Sequence, residues 1–471
     1  MRLHDFSFVD DLAAYKGDDL AFVSPGSSLN FEQLEFRSRR IAAYLDRQGI
    51  TKVDLVCTIL PSHLNWLFTI ALQRLGIPTM TKNSLRNFSQ EVKPTWLISL
   101  KTHHEIPASN TVLVDQSLID VILRTPTIDL FGYQSELDLA RLFSTSGTSG
   151  ETKYIPYLAN QLESLISRKS SYGDSSIKRI LSLYPYGSGQ TYGLALRNLV
   201  QGNTFFAIDH LDPFIPGYLF DNKVDTLSGS PTQISSFLDI LQQTGTELPN
   251  LKTVIMGGSA PSEKLIERLK SKLDVTIFNA YGSSEAGNIC IEEISDSNID
   301  GFSSIQEDVT LQIVDDNNQP LPPMSVGHIR YHRPGMATSY FNNPLATAEH
   351  FKDGFFYPGD LGYLDHAGRL VLQGRSNEVI NLGGVKINPE LIDAIAIAQP
   401  GVLDCAAFSA SNEKGIEELA IALVVGDGFN KEVFEAAMKQ QSPYPVRKAL
   451  LVEQIPRNEN GKIQRNLLAK G

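Results

Sequence analysis

Residues 144–153, STSGTSGETK, gather the groups that an anion needs: six hydroxyl side chains, two glycines and a closing lysine. Glycines let neighbouring backbone N–H groups turn toward one point and let a phosphate come close. Hydroxyls add donors, and the lysine adds charge. Apolar residues 139–143 and 154–158 flank the run, so the local order is strand, polar loop, strand. The spacing is not that of the Walker loop, and the same composition also suits a flexible Ser/Gly linker. Ser146, Gly147, Thr148, Ser149, Gly150 and Lys153 are the candidate phosphate contacts.

Further along, two apolar runs end in similar chemistry. Residues 251–256 lead into Gly257, Gly258, Ser259, Ala260 and Pro261, and residues 275–278 lead into Asn279, Ala280, Tyr281, Gly282, Ser283, Ser284 and Glu285. Ligands on wound sheets bind at the carboxyl ends of strands. Tyr281 can stack on a base, Ser284 can donate to a phosphate, and Glu285 can hold a Mg²⁺ that touches one. A turn with an exposed glutamate is the plainer alternative. Asp360, in the turn Tyr357-Pro358-Gly359-Asp360, can accept from a ribose diol, and Arg375 can meet a phosphate. Lys462 follows a glycine in a polar turn, where it can reach outward or simply be surface charge.

These residues need a scaffold. Residues 29–49 read as an amphipathic helix with Asn30 as N-cap and Gln33 in capping-box position. Its Arg37, Arg39 and Arg40 read as a solvated face. Residues 53–60 and 96–100 read as strands, 65–75 and 263–272 as helices, the last capped by Ser262. Strand and helix alternate, which predicts a wound α/β sheet. From about residue 310 short strands take over, predicting a small β unit. Residues 376–471 read as a separate α+β unit. The segment 184–194 mixes glycines with tyrosines. It suits either a backbone bent around something flat or apolar, or a tight turn with core tyrosines. His103 and His104, adjacent and without a matching acid or cysteine cluster nearby, read as surface loop.

With 471 residues, 42% of them hydrophobic and 20% charged, the chain is globular and too long for one ordinary core. A net charge of -12 argues against a nucleic-acid surface. The three cysteines, Cys57, Cys290 and Cys405, have no metal spacing and no disulfide framework, as in a reducing compartment. The first ten residues lack the apolar core of a signal peptide, and no apolar run reaches the ~18 residues of a membrane span. A cytoplasmic location is the expectation.

Taken together the motifs resemble the adenylate-forming superfamily: acyl- and aryl-CoA synthetases, carrier-protein-loading adenylation domains and luciferases. The resemblance rests on 144–153, 257–261, 279–285, 357–360, 374–384 and 456–463, in family order through almost the whole chain. It implies a large N-terminal domain, 1–375, and a small mobile C-terminal domain, 376–471. It also implies a two-step ligase using ATP and Mg²⁺. A small carboxylic acid becomes acyl-AMP; the small domain then rotates, and the thiol of CoA, or of an acyl carrier protein's phosphopantetheine, displaces AMP. On this resemblance Thr148, Ser149 and Lys153 hold the β- and γ-phosphates. Thr148 and Glu285 serve the metal, Tyr281 stacks on adenine, and Ser284 meets the α-phosphate. Asp360 binds the ribose with Arg375 nearby, Asn377 is the hinge, and Lys462 acts at the new bond.

The chain departs from the family pattern at Asn377, where Asp or Lys is usual. Gln190 stands where a gating histidine is frequent, and His328 and Leu391 stand where Glu is common. Amino-acid-activating relatives carry an acid near Gln190, and none lies between Tyr184 and Leu194. The expected substrate is therefore an acid without an α-amino group, with Tyr186, Tyr192 and Met256 lining an aryl or medium acyl tail. A nucleotide-binding scaffold without turnover is the alternative of another class, and the joint presence of Lys153, Glu285, Asp360 and Lys462 argues against it.

Overall fold

The structure, a computed structural model, describes residues 6–82, 92–106, 108–146, 152–167, 179–295, 302–376, 380–382, 385–412, 417–457 and 463–468. Gly147, Thr148, Ser149, Gly150, Asn377 and Lys462 lie outside these residues.

The alternation read from the sequence builds two wound sheets. The larger has eight strands, and its order runs from the edge at Gly287–Glu293 through Thr276–Ser283, Thr253–Gly257, Thr226–Gly229, Arg179–Ser182, Thr204–Ala207 and Leu20–Ser24 to Ser27–Asn30. Its interior pairings are parallel, and each edge is closed by an antiparallel hairpin. The second sheet has six strands: Asn110–Leu113, Trp96–Ser99, Val56–Ile59, Thr79–Thr81, Leu139–Ser146 and Thr152–Leu158. Only its last pair is antiparallel. Strands buried on both faces by crossover helices read as apolar runs rather than alternations, as they do here.

The two sheets share a layer of helices. Ser62–Arg74 touches strands of both sheets and is buried almost throughout. Its Trp66 packs 5.9 Å from Phe22 and 5.9 Å from Tyr186. The helix Phe31–Arg47 starts as expected: Asn30 accepts from the Gln33 backbone N–H, and Gln33 reaches back, completing the capping box. Its arginines are not a free solvated face. Arg39 pairs with Asp10 and Glu35, and the Arg40 guanidinium lies 3.7 Å from the centre of the Phe36 ring.

Two expectations need correction. Residues 184–194 take the second of their two readings, a tight turn with core tyrosines: Ser188 caps a helix, Gly189–Val200, that carries Tyr192 into the core. Tyr186, Tyr192 and Met256, expected to line an acyl tail, are 6%, 0% and 0% exposed and packed in the apolar core. The Tyr192 hydroxyl is bonded to Gln73, and its ring lies 4.4 Å from the buried Arg141 guanidinium. The other correction is that the strand expected at 275–278 runs on to Ser283 and turns back as Gly287–Glu293. The supposed loop from Asn279 to Ser283 is therefore sheet.

A seven-stranded antiparallel sheet follows, as the short strands after residue 310 predict. It includes Gly327–His332, Asp360–Leu364 and Leu370–Arg375. Beyond it, Ile380, Ile387, Ile392, Val402, Leu419, Ile421, Phe434 and Met438 form an apolar cluster of their own. It lies between a three-stranded sheet and the helices Pro389–Ile397 and Lys431–Gln441. The architecture is thus α/β: wound sheets, a small β unit and a small α+β unit. No described helix is long and apolar enough to cross a membrane.

Candidate active site

The hairpin from Thr276 to Glu293 brings the first cluster together. Tyr281 sits on it beside Cys290, and the Tyr281 hydroxyl donates to Asp360 Oδ2 at 2.5 Å. Asp360 Oδ1 pairs with Arg375 Nε at 2.9 Å, and Arg375 also donates to the Pro358 carbonyl at 3.2 Å. Asp360 and Arg375 face each other because their strands pair in that register. Residues from three distant stretches, 281, 360 and 375, thus share one corner. Asp360 is 6% exposed, so its charge is held by an ion pair and a hydroxyl, as a buried carboxylate requires.

The second cluster starts at Glu285, in the turn of the same hairpin and 7% exposed. The Tyr340 hydroxyl donates to Glu285 Oε1 at 2.7 Å, and Oε2 has no hydrogen-bond partner among the described residues. The turn is fixed on every side. Tyr157 donates to the Ser284 carbonyl at 3.1 Å, and Tyr331 donates to Ser283 Oγ at 3.1 Å. Buried Arg333 donates to the Ala286 and Asn288 carbonyls at 3.2 and 2.6 Å while its fork grips Asp308. Burial raises the hydroxyl pKa of Tyr281, Tyr331 and Tyr340, and the carboxylates nearby push the same way. These phenols therefore remain donors at neutral pH.

Lys153 lies in the strand Thr152–Leu158, opposite Thr145. Its ammonium stands 5.1 Å above the ring of Tyr340 and 2.8 Å from His350 Nε2. The strands run further than the sequence reading placed them: Ser144 to Ser146 and Thr152 to Lys153, read as part of the polar loop, are paired strand residues. Gly258, Ser259 and Ala260 form an exposed bend at the carboxyl end of Thr253–Gly257, with Pro261 next. Gly257 packs against Ala280, and Asn279 pairs with Met256 in the adjoining strand. These positions lie at the same end of the sheet as Tyr281, where a wound sheet binds its ligands.

Both flanks of Lys462 are anchored. Arg457 pairs with Asp404 at 2.8 Å, and Arg465 pairs with Asp393 at 2.5 Å while donating to the Ala407 carbonyl. A backbone bridge joins Arg457 to Ile463. Burial raises the Asp393 pKa, and the Arg465 guanidinium opposes that shift.

Sequence reading missed Tyr340, His350, Tyr157, Tyr331 and Arg333. None belongs to a polar or glycine-rich run. Each has a site partner 45 or more positions away, and His350 lies 197 from Lys153, so no local pattern marks that pairing.

The donor set fits Mg²⁺. Glu285 offers one hard carboxylate oxygen, and no cluster of three or more His, Cys, Asp or Glu suited to a metal occurs among the described residues. Mg²⁺ is commonly held in this way, by one or two carboxylates plus substrate phosphates and waters.

The profile of the AMP-binding enzyme family matches residues 9–341. The oxalate–CoA ligase of Saccharomyces cerevisiae is 27% identical over 365 residues, 74% of this chain and 66% of that protein, just under two thirds of its length. The 2-succinylbenzoate–CoA ligase of Listeria innocua is 26% identical over 471 residues, 96% of each chain. Among solved structures, the o-succinylbenzoate CoA synthetase of Bacillus subtilis, in complex with its acyl-adenylate intermediate, superposes with a TM-score of 0.85 at 21% identity. The superposition covers 98% of this chain and 97% of that one. The same synthetase in complex with ATP and magnesium also gives 0.85, at 20% identity and covering 99% of both chains. With its motifs, its sheet architecture and the family profile in agreement, the chain belongs to the AMP-binding enzyme family of adenylate-forming enzymes.

Proposed function

We propose that the chain is an ATP-dependent acid–thiol ligase that activates a carboxylic acid without an α-amino group and passes the acyl group to CoA. The observation that carries this is the hairpin from Thr276 to Glu293, which holds Tyr281 against Asp360 and Glu285 against Tyr340 within one short turn. A nucleotide placed there has a ring platform and a ribose acceptor at one end. At the other it has a carboxylate and Lys153 for phosphates and metal. The relatives are named as acid–CoA ligases, which supports CoA over a carrier-protein thiol.

In the first step a carboxylate oxygen of the acid bonds to the α-phosphorus and the bond to pyrophosphate breaks. Charge builds up at phosphorus and on the leaving oxygens, so preset cations lower the barrier more than they favour the ground state. Lys153 would steady the departing pyrophosphate and Lys462 the new bond, with Thr148, Ser149 and Ser284 donating to phosphate oxygens. Glu285 and Thr148 would hold Mg²⁺, which neutralises phosphate charge when bound. In the second step the thiol, losing its proton, attacks the acyl carbon and AMP leaves. Residues 1–375 would act as the nucleotide and acid domain and 376–471 as a lid that rotates between the steps. The separate apolar clusters on the two sides of residue 376 support that division.

Acid-dependent exchange of labelled pyrophosphate into ATP, over a panel of acids with and without CoA, tests the reading. At least one acid should support exchange and give a thioester only with CoA. Lys462→Ala should lose about 10²–10³ of the exchange rate yet still transfer supplied acyl-AMP to the thiol. No exchange with any acid, or equal loss in both half-reactions, would count against it.

A further inference from the structure

The amine of Lys153 lies 2.8 Å from Nε2 of His350, and the other ring nitrogen, Nδ1, lies 2.8 Å from the Tyr357 carbonyl oxygen. A carbonyl can only accept, so the ring proton is on Nδ1 and Nε2 is left as an acceptor. An ammonium can only donate. The two side chains are therefore complementary as a neutral imidazole receiving a lysine ammonium. The ring is held on its other sides too, stacked 6.1 Å from Phe356 and edge-on to Tyr340 at 5.8 Å. Among the described residues the one carboxylate within 4.0 Å of its ring nitrogens is that of Glu349, 3.9 Å from Nε2.

The arrangement continues past the lysine. Its Nζ stands 5.1 Å over the face of Tyr340, whose hydroxyl donates to Glu285 at 2.7 Å. Tyr340 thus separates the phosphate-loop cation from the metal-site carboxylate by the width of one ring. At the far end the Tyr357 carbonyl that orients His350 belongs to the turn that ends in Asp360.

We propose that His350 is a positioning residue for the triphosphate end of ATP, holding Lys153 in register with Glu285 across the ring of Tyr340. The role rests on the adenylation reading, because it gives Lys153 the phosphates as its target. A lysine stem loses rotamer freedom when it is fixed. His350 fixes it before the nucleotide arrives, so less ordering remains at binding. With three donors, Nζ keeps one on Nε2 and turns the others to phosphate oxygens. The ring also ties the phosphate end of the site to the ribose turn through Tyr357.

Calorimetric titration with Mg²⁺ and ATP, paired with acid-dependent pyrophosphate exchange, tests this in a double-mutant cycle. His350→Phe keeps the ring stack and removes the acceptor. It should weaken ATP binding and raise KM for ATP about tenfold, with a much smaller fall in kcat. His350→Gln, which restores an acceptor, should recover most of the loss. In a Lys153→Met background His350→Phe should add little, because the interaction is already gone. An unchanged ATP affinity in His350→Phe, no rescue by Gln, or full additivity with Lys153→Met would overturn the proposal. A wild-type chain that binds ATP but supports exchange with no acid would sink the ligase reading alone. The binding cycle would then still decide the role of His350. A wild-type chain that does not bind ATP would overturn both.

Discussion

Asp360 shows how much one residue does here. Its two oxygens are divided between the Tyr281 hydroxyl and the Arg375 guanidinium, so the side chain is oriented before any ribose arrives. Asp360→Asn keeps the shape but removes the charge that pairs with Arg375. ATP affinity should fall about ten- to a hundredfold, since a charged acceptor for the diol is lost. Inorganic pyrophosphate, which has no ribose, should bind as before. Titrating both ligands separates the two ends of the site, and an equal loss for pyrophosphate would contradict the assignment of Asp360 to ribose. Arg375, offered by the sequence as a phosphate contact and set near the ribose by the family resemblance, has its Nε on Asp360.

At the scale of elements, the hairpin from Thr276 to Glu293 organises the site, and a glycine makes it possible. A Cβ on Gly282 would lie 2.2 Å from the Gly287 carbonyl oxygen and 2.6 Å from the Asn288 Cα. Both contacts are backbone, so neither can swing aside. Gly282→Ala should open the hairpin beside Glu285 and cost about 2–4 kcal/mol of stability. A urea titration would read the loss, and adenylation should fall with it. A midpoint within error of wild type would show that the strands can part at no cost, against the close packing described. Arg333 acts on the same element from outside, tying the Ala286 and Asn288 carbonyls to Asp308.

For the whole molecule, burial itself sets a pH dependence. Burial pushes the Cys57 and Cys290 thiols up from an ordinary value of 9.0 to about 12, and Tyr192 up from 10.0 to about 12. Between those values the unfolded chain gives up protons that the folded chain keeps. The stability that depends on these groups is therefore complete below about pH 9 and is lost as pH climbs toward 12, by up to about 1.4 kcal/mol per pH unit for each group. The urea midpoint should fall between about pH 8 and pH 11, and less steeply in a Cys57→Ala chain. A midpoint that rises with pH would contradict the burial assigned to these groups.

The sequence by itself determined the local pieces. Apolar runs, caps and glycine turns act over a few residues, so Asn30 with Gln33 and the Ser262-capped helix were legible without a structure. The family resemblance followed from the order of such local motifs. Local composition, however, does not say which face meets which partner. It offered Tyr186, Tyr192 and Met256 as a pocket wall; the core that includes Trp66 takes in the two tyrosines, and Met256 is buried in another cluster with Ile234, Phe237 and Leu269. It ended a strand at residue 278, while pairing with Gly287–Glu293 carries that strand to Ser283, because a strand's length depends on its partner as well as its own residues. Only the tertiary structure could set His350 beside Lys153 and Tyr340 beside Glu285. Those pairs form between elements distant along the chain, where packing rather than spacing decides what touches.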